Sequence, residues 1–267
     1  MSDAHTDLID DLDDETNDEV NRSKMSFLEH LEELRKRIIY SLYAVLGCLS
    51  VTFWFMDTMN NFMLRYFTLT AAGGEVKLLA TELTEAFMFQ FKIALLGAAI
   101  VAAPFIFMQF WLFVAPGLYA REKKIVVPFV ASATVLFGTG VWFAHTIAFP
   151  TMVKFLVGFN NEYLTIMPAL SIIFSMYVKV VLGLGLVFEL PMLVFFLARF
   201  GVVTAGFMIK KTKYAILLIF VLAAIITPSA DIASQLVFAG PMMVLYAISI
   251  GVAWAFGKKQ PKASADA

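Results

Sequence analysis

The chain has 267 residues, of which 60% are apolar and 15% are charged, and its mean hydropathy is +0.81. Soluble domains carry about a quarter charged residues and fewer than half apolar ones, so the composition excludes a soluble enzyme, a nucleic-acid-binding protein and a disordered chain. The net charge of −1 hides a segregation, because nine of the 21 acidic residues fall within the first 19 positions. These features predict an all-α integral membrane protein with several spans.

The chain begins with a polar, acidic segment, residues 1–24, that lacks the charged and apolar regions of a secretory signal. We expect it to be a disordered cytoplasmic tail. Ser26 and Glu29 then have the spacing of a capping box, which predicts that a helix begins at Ser26. Four apolar side chains follow at helical spacing: Leu28, Leu31, Leu34 and Ile38. The pattern predicts an amphipathic cytoplasmic helix that leads into the first span.

Six apolar runs are candidates for transmembrane helices. They are residues 38–56, 86–115, 125–149, 171–198, 214–227 and 232–256. A helix of about 20 residues crosses the hydrocarbon core, but the fifth run would be only about 21 Å long. Either this helix extends a turn into the preceding loop, or the bilayer is thinner around it. We expect the fifth and sixth helices to be short.

The basic residues predict the orientation of these spans. Fifteen of the 20 Lys and Arg residues lie in the N-terminal segment, in the loops that follow the second and fourth spans, and in the C-terminal tail. The other connections hold only Arg65, Lys77 and Lys154. The positive-inside rule then places both termini in the cytoplasm. We expect a six-helix membrane domain over residues 25–256, followed by a cytoplasmic tail over 257–267.

Carboxylates at the cytoplasmic side form the first candidate site. Glu29 and Glu33 lie one helical turn apart, where like charges repel unless a cation is bound, while Glu33 and Arg37 have the favourable order for an ion pair. Glu122 is the carboxylate of the first cytoplasmic loop. One interpretation is an interfacial helix with surface ion pairs of little energetic value. The other is a carboxylate site for a basic ligand, since arginine binds carboxylates bidentately.

A second candidate is Glu189, which lies deep in the fourth span. A carboxylate at that depth costs several kcal/mol, so it must face protein or water, or be protonated. Pro191 removes the donor that would bond to the carbonyl of Val187, which predicts a kink. Glu189 is either a structural contact to another helix or a functional group: a proton site, a water-filled dent, or a partner for a polar residue of another chain.

The start of the sixth span carries two further polar side chains. Pro228 lies in the tight turn before this span, and Asp231 is placed to cap the helix. Gln235, one turn further in, is predicted to form a hydrogen bond with a neighbouring helix.

Four motifs occur in order along the chain. They are His-Leu-Glu-Glu-Leu-Arg-Lys-Arg at 30–37, Phe-Val-Ala-Pro-Gly-Leu-Tyr at 113–119 followed by Glu122, Phe-Glu-Leu-Pro at 188–191, and Thr-Pro at 227–228 followed by Asp231 and Ser-Gln at 234–235. Together they resemble the TatC family, the multi-spanning receptor subunit of twin-arginine protein translocation. The resemblance runs from about residue 25 to residue 256.

The resemblance implies a receptor for signal peptides that carry two adjacent arginines on folded cargo. It also implies transport driven by the proton gradient, with local bilayer thinning around the short spans. Glu33 and Glu122 would be the main acceptors of the arginine pair, Glu29 would assist them, and Arg35 and Arg37 would set the helix at the headgroups. The signal-peptide-binding residues implied in this way are Glu33, Glu122, Glu29, Arg35, Arg37 and Phe113.

The resemblance also implies partners and a location. Glu189, with Pro191, would face single-span TatA/TatB-type subunits, and Gln235 would have a similar helix-packing role. Self-association and contacts with membrane lipids are expected, and the location would be the bacterial cytoplasmic (inner) membrane. We expect no cofactor, no metal and no nucleic acid.

Two other functions compete with translocation at this stage. A proton-coupled small-solute transporter would use Glu189 as its carrier, but it usually needs more intramembrane polar residues, and the two halves show no internal repeat. An intramembrane enzyme would need a nucleophile with its base, or a metal set, and the sequence contains no such motif. We therefore expect a non-enzymatic protein.

Overall fold

The computed structural model describes residues 3–72, 78–80, 82–114, 123–159, 163, 166–227 and 231–257. Within these ranges the chain forms α-helices and one short π-helix, and no named strand. The helices are α1 (Asp3–Trp54), α2 (Met56–Ala72), α3 (Glu85–Val114), α4 (Lys123–Phe143), α5 (Phe149–Val157), α6 (Leu170–Val187), α7 (Leu190–Arg199), α8 (Ala205–Lys210), α9 (Thr212–Ile226) and α10 (Ile232–Phe256). The π-helix, Ala144–Ala148, joins α4 to α5.

Five helical stretches of the described chain are long and apolar enough to cross a membrane. They are Leu28–Trp54, Glu85–Phe113, Val127–Val157, Leu170–Arg199 and Ser234–Phe256, and the shorter apolar helix α9 adds a sixth. In hydrocarbon each backbone N–H and C=O must bond within the protein, which is why long apolar runs become helices. The prediction of an all-α membrane protein with six apolar helices is confirmed.

The lengths of the last two spans differ from each other. The helix α9 has 15 residues, so the prediction of a short fifth span is confirmed. The helix α10 has 25 residues, or about 37 Å, so the prediction of a short sixth span is wrong. Pro241 lies inside α10 without ending it, because the apolar run continues to Phe256 on the far side of the proline.

The first helix does not begin where the sequence predicts. The helix α1 passes through Ser26 without a break, so the predicted start at this capping box is wrong. No Gly or Pro occurs between residues 3 and 46, and an existing helix extends readily through such a stretch. The side chains of α1 are described from Leu28 onward. That residues 1–24 form a free tail in solution stays a prediction.

The amphipathic part of α1 packs two of its polar side chains against the protein. Leu28 and Ile38 of the predicted apolar stripe are 58% and 59% exposed, whereas Glu33 and Arg37 are half-buried on the side that packs along α3. Leu31 is also exposed and Leu34 is half-buried, so three of the four stripe residues face the surroundings of the protein, as expected of a helix at a membrane.

A helix between the first two spans, α2, was missed by the sequence analysis. Its Phe67 is fully buried, with ring centroids 5.6 Å from Phe149 and 5.4 Å from Tyr177. The hydroxyl of Tyr66 donates a hydrogen bond to the backbone carbonyl of His145 in the π-helix, and the His145 ring nitrogen Nδ1 lies 2.8 Å from the Tyr177 hydroxyl. These contacts fix α2 against the third and fourth spans. The helical spacing of Met63, Tyr66 and Phe67 is the signal that predicts this helix.

Candidate functional site

The side chain of Glu33 lies where α1 meets the C-terminal part of α3. Its carboxylate oxygen Oε1 accepts a hydrogen bond from Nη2 of Arg37 at 3.1 Å, so the predicted ion pair one turn apart is confirmed. The second guanidinium nitrogen of Arg37, Nη1, donates to Oε1 of Gln109 on α3 at 3.2 Å. The carboxylate, the guanidinium and the amide thus form a chain of contacts between the two helices.

One turn before Glu33, a ring contact joins the same two helices. The His30 and Phe113 rings are stacked, with centroids 4.5 Å apart and planes 18° from parallel. The structure therefore places Phe113 beside the amphipathic segment of α1, and it adds His30, which the sequence analysis did not single out. We call Glu33, Arg37, Gln109, His30 and Phe113 the Glu33 cluster.

The other predicted residues of α1 point elsewhere. Glu29 and Arg35 are exposed, and Lys36 lies over the ring of Tyr40, with Nζ 5.9 Å from the centroid. Arg37 has a side chain only 24% exposed and contacts Glu33 and Gln109. That Arg35 and Arg37 set the helix at the headgroups stays a prediction.

Glu122 lies outside the described residues, so its position relative to Glu33 stays a prediction. The position of Glu122 is restricted by the two helices on either side of the undescribed segment. This segment follows Val114, the residue after Phe113 of the Glu33 cluster. At its other end, Glu122 is bonded to Lys123, the first residue of α4.

Glu189 occupies the break between α6 and α7. The helix α6 ends at Val187 and α7 begins at Leu190, with Pro191 in its first turn, so the helix is interrupted where the sequence predicts a kink. The carboxylate oxygen Oε1 of Glu189 is buried and has no hydrogen-bond partner among the described residues. The span thus holds a polar atom that its own described neighbours leave unsatisfied, and such atoms are uncommon.

A close contact between the third and fourth spans lies one turn before Glu189. A Cβ atom added to Gly140 would lie 2.9 Å from the Cα of Gly185 and 2.9 Å from the carbonyl oxygen of Leu184. Only a glycine permits this approach of the two backbones. The contact holds α4 against α6 next to the break at Glu189.

The polar residues at the start of α10 make contacts within the protein. The carboxylate of Asp231 accepts a hydrogen bond from the backbone N–H of Ser234 at 2.6 Å, which is the cap that the sequence predicts. The side-chain nitrogen Nε2 of Gln235 donates to the carbonyl of Phe220 on α9 at 2.8 Å. Gln235 therefore links the last two spans, and its contact with a partner chain stays a prediction. Pro228 lies outside the described residues.

Glu85, at the opposite end of the bundle from the Glu33 cluster, was also missed. Its side chain is 8% exposed, and Oε1 accepts a hydrogen bond from the backbone N–H of Ser171 at 2.6 Å, in the first turn of α6. A carboxylate there is favoured by the helix dipole. Glu85 also borders a cavity of about 210 Å³ together with Glu82 and Lys92. No group of three or more His, Cys, Asp or Glu in the described chain is arranged to hold a metal ion.

The fold and these sites define a class of protein: a multi-spanning helical membrane protein with polar groups at both ends of the bundle and at a break inside one span. A family model described as Sec-independent protein translocase protein (TatC) matches residues 29–241. The chain belongs to the TatC family, and it is accordingly a subunit of a protein translocase and not an enzyme.

Known relatives and a solved structure agree with this assignment. The TatC protein of Koribacter versatilis is 44% identical over 232 residues, which is 86% of this chain and 85% of that protein. The TatC protein of Desulforapulum autotrophicum is 40% identical over 238 residues, 89% of this chain and 87% of that one. A crystal structure of the twin arginine translocase receptor TatC in DDM is 34% identical, covers 86% of this chain and 100% of that one, and superposes with a TM-score of 0.74.

Proposed function

We propose that the chain binds twin-arginine signal peptides at the Glu33 cluster, with Glu33 and Glu122 as the acceptors of the two guanidinium groups. The observation that carries the proposal is the contact of Glu33 with Arg37, because it shows that this carboxylate accepts a guanidinium at hydrogen-bond distance. Exposed Glu29, one turn away, adds negative charge for an approaching basic peptide.

The stacked rings of His30 and Phe113 support the same assignment. They hold the amphipathic part of α1 against the last turn of α3. A signal peptide that follows α1 past Phe113 would therefore reach the end of α3, from which the chain continues towards Glu122. Phe113 also offers a half-buried apolar surface for the side chains next to the arginine pair.

We further propose that both termini lie in the cytoplasm of a bacterium and that the spans lie in its inner membrane. Six apolar helices and the excess of Lys and Arg in alternate connections support this orientation. Exposed Arg35 at the end of the amphipathic segment then faces the lipid headgroups. The proton gradient would drive transport of the folded cargo.

The half-buried carboxyl group of Glu189, whose oxygen Oε1 has no hydrogen-bond partner among the described residues, supports a contact with another chain. In hydrocarbon, a buried acceptor gains most from a donor on a neighbouring helix. Single-span TatA/TatB-type subunits would supply that helix, and self-association of this chain would bring several receptors together. Glu189 and Pro191 would form the contact, while Gln235 would hold α9 and α10 in place beside it.

The experiment that tests this proposal compares two precursors. The full chain, purified in detergent, is used to pull down a precursor with an Arg-Arg signal and the same precursor with a Lys-Lys signal. We expect the Arg-Arg precursor to be retained at least about tenfold better, because lysine cannot form the bidentate pair. Equal retention of the two precursors would contradict a site built for guanidinium groups.

A further inference from the structure

The carboxylate that the proposed function assigns to the signal peptide already carries a guanidinium. Arg37 donates to Glu33 through a single nitrogen, Nη2, at 3.1 Å, and both side chains are partly exposed, at 24% and 30%. In the free protein, therefore, one oxygen of the Glu33 carboxylate already accepts from a guanidinium. A basic ligand that pairs with both oxygens of this carboxylate must first replace Arg37.

The geometry of the Arg37 contact makes it displaceable. The contact with Glu33 joins one nitrogen to one oxygen, which is weaker than the two-pronged pair that an arginine with free access can form. Partly exposed ion pairs within one helix contribute little to stability. An incoming guanidinium of the right orientation can thus replace the internal one.

Gln109 gives the displaced arginine a place to remain. Its side-chain oxygen already accepts from Nη1 of Arg37 at 3.2 Å, on the other side of the guanidinium from Glu33. Arg37 can therefore release Glu33 and keep one hydrogen bond to α3. The guanidinium does not have to leave the interface between the two helices when the ligand arrives.

We propose that Arg37 is an internal substitute for the signal-peptide arginine, which occupies Glu33 in the resting protein and lowers its affinity for every basic peptide. This inference rests on the proposed function of Glu33. As a consequence, a basic segment must bind with enough affinity to displace Arg37, and weakly bound segments do not occupy the site. An Arg-Arg signal binds because its two guanidinium groups together overcome the competition. Competition of this kind weakens Arg-Arg and Lys-Lys peptides by the same factor.

The test measures the dissociation constants of fluorescent Arg-Arg and Lys-Lys signal peptides on the full chain in detergent. Arg37→Gln should tighten the binding of both peptides by a similar factor, about twofold to fivefold, which corresponds to the loss of one partly exposed ion pair. Lys36→Gln is the matched control, since it removes the same charge from an exposed neighbour, and it should change neither constant by more than about twofold. Arg37→Lys keeps the charge without the planar fork and should give an intermediate result.

A second background separates this inference from the function on which it rests. With Glu33→Gln present, Arg37→Gln should no longer tighten binding, because there is no carboxylate left to release. If Arg37→Gln and Arg37→Lys instead weaken the Arg-Arg peptide, Arg37 supports the site and the inference is wrong. If Glu33→Gln alone leaves the Arg-Arg peptide unaffected, the proposed acceptor itself is wrong.

Discussion

Replacement of Glu33 and Glu122 together by Ala should abolish the crosslinking of a twin-arginine precursor to this protein. Each change removes one partner of a charged hydrogen-bonded pair and leaves a signal-peptide arginine without its acceptor. Such losses cost about 2–5 kcal/mol each, so the two together should lower the affinity by about a thousandfold or more. The measurement is photo-crosslinking from a probe placed beside the arginine pair of the precursor.

The single variants and a matched control make this result specific. Glu33→Ala alone should have a large effect, because it also leaves the Arg37 guanidinium, held by Gln109, as a positive charge next to the site. Glu32→Ala removes the same charge from an exposed neighbouring position and should leave crosslinking close to that of the wild type. Wild-type crosslinking in the double variant would show that the acceptors have been wrongly assigned.

Glu189→Gln should preserve precursor binding and impair the docking of the single-span partners. Glutamine has nearly the shape of glutamate, and Oε1 of Glu189 has no partner among the described residues whose bond would be lost. The variant should therefore fold normally and bind the Arg-Arg peptide within about twofold of the wild type. Transport should fall about tenfold, since a buried hydrogen-bonding group left without its partner costs about 1–3 kcal/mol.

Co-purification of the single-span subunits measures the docking step directly. Glu85→Gln is the control, because it makes the same chemical change at a buried carboxylate whose oxygen accepts from Ser171 within the protein. That variant should lower the unfolding temperature without lowering the amount of partner bound per folded receptor. If Glu189→Gln instead abolished binding of the precursor to the purified protein, Glu189 would belong to the signal-binding site.

The positions of the spans could be predicted from the sequence because the bilayer imposes them. Long apolar runs have no alternative to helix in hydrocarbon, and the structure places the six apolar helices over the six predicted runs. Local features of the chain were also predictable. The ion pair of Glu33 with Arg37, the cap by Asp231 and the break before Pro191 each depend on residues within four positions of one another.

The faces of the helices could not be predicted in the same way. In a water-soluble protein the apolar stripe faces the core, but lipid is as apolar as a protein interior, so the stripe of α1 does not reveal its partner. Leu28 and Ile38 are exposed, and the polar residues Glu33 and Arg37 pack towards α3. The contact with Gln109 joins residues 72 positions apart, and no periodicity in the sequence links them.

Two other features depended on long-range contacts in the same manner. The stacking of His30 on Phe113 and the hydrogen bond from Ser171 to Glu85 join distant segments of the chain. Nothing in the local sequence around any of these residues indicates its partner. The helix α2 was missed because its 17 residues include polar positions and do not form a long apolar run.

The proposed binding of the arginine pair requires that Glu33 and Glu122 lie close together on the cytoplasmic side, and disulfide crosslinking measures this proximity. The single cysteine, Cys48, is first replaced by Ser, and cysteines are then introduced as Glu33→Cys with Glu122→Cys. A control pair combines Glu33→Cys with Tyr163→Cys, which lies in the exposed connection between α5 and α6. We expect rapid crosslinking of positions 33 and 122 by a mild oxidant, and labelling of both by an impermeant thiol reagent only from the cytoplasmic face. Efficient crosslinking of 33 with 163, or labelling of 33 and 122 from opposite faces of the membrane, would contradict it.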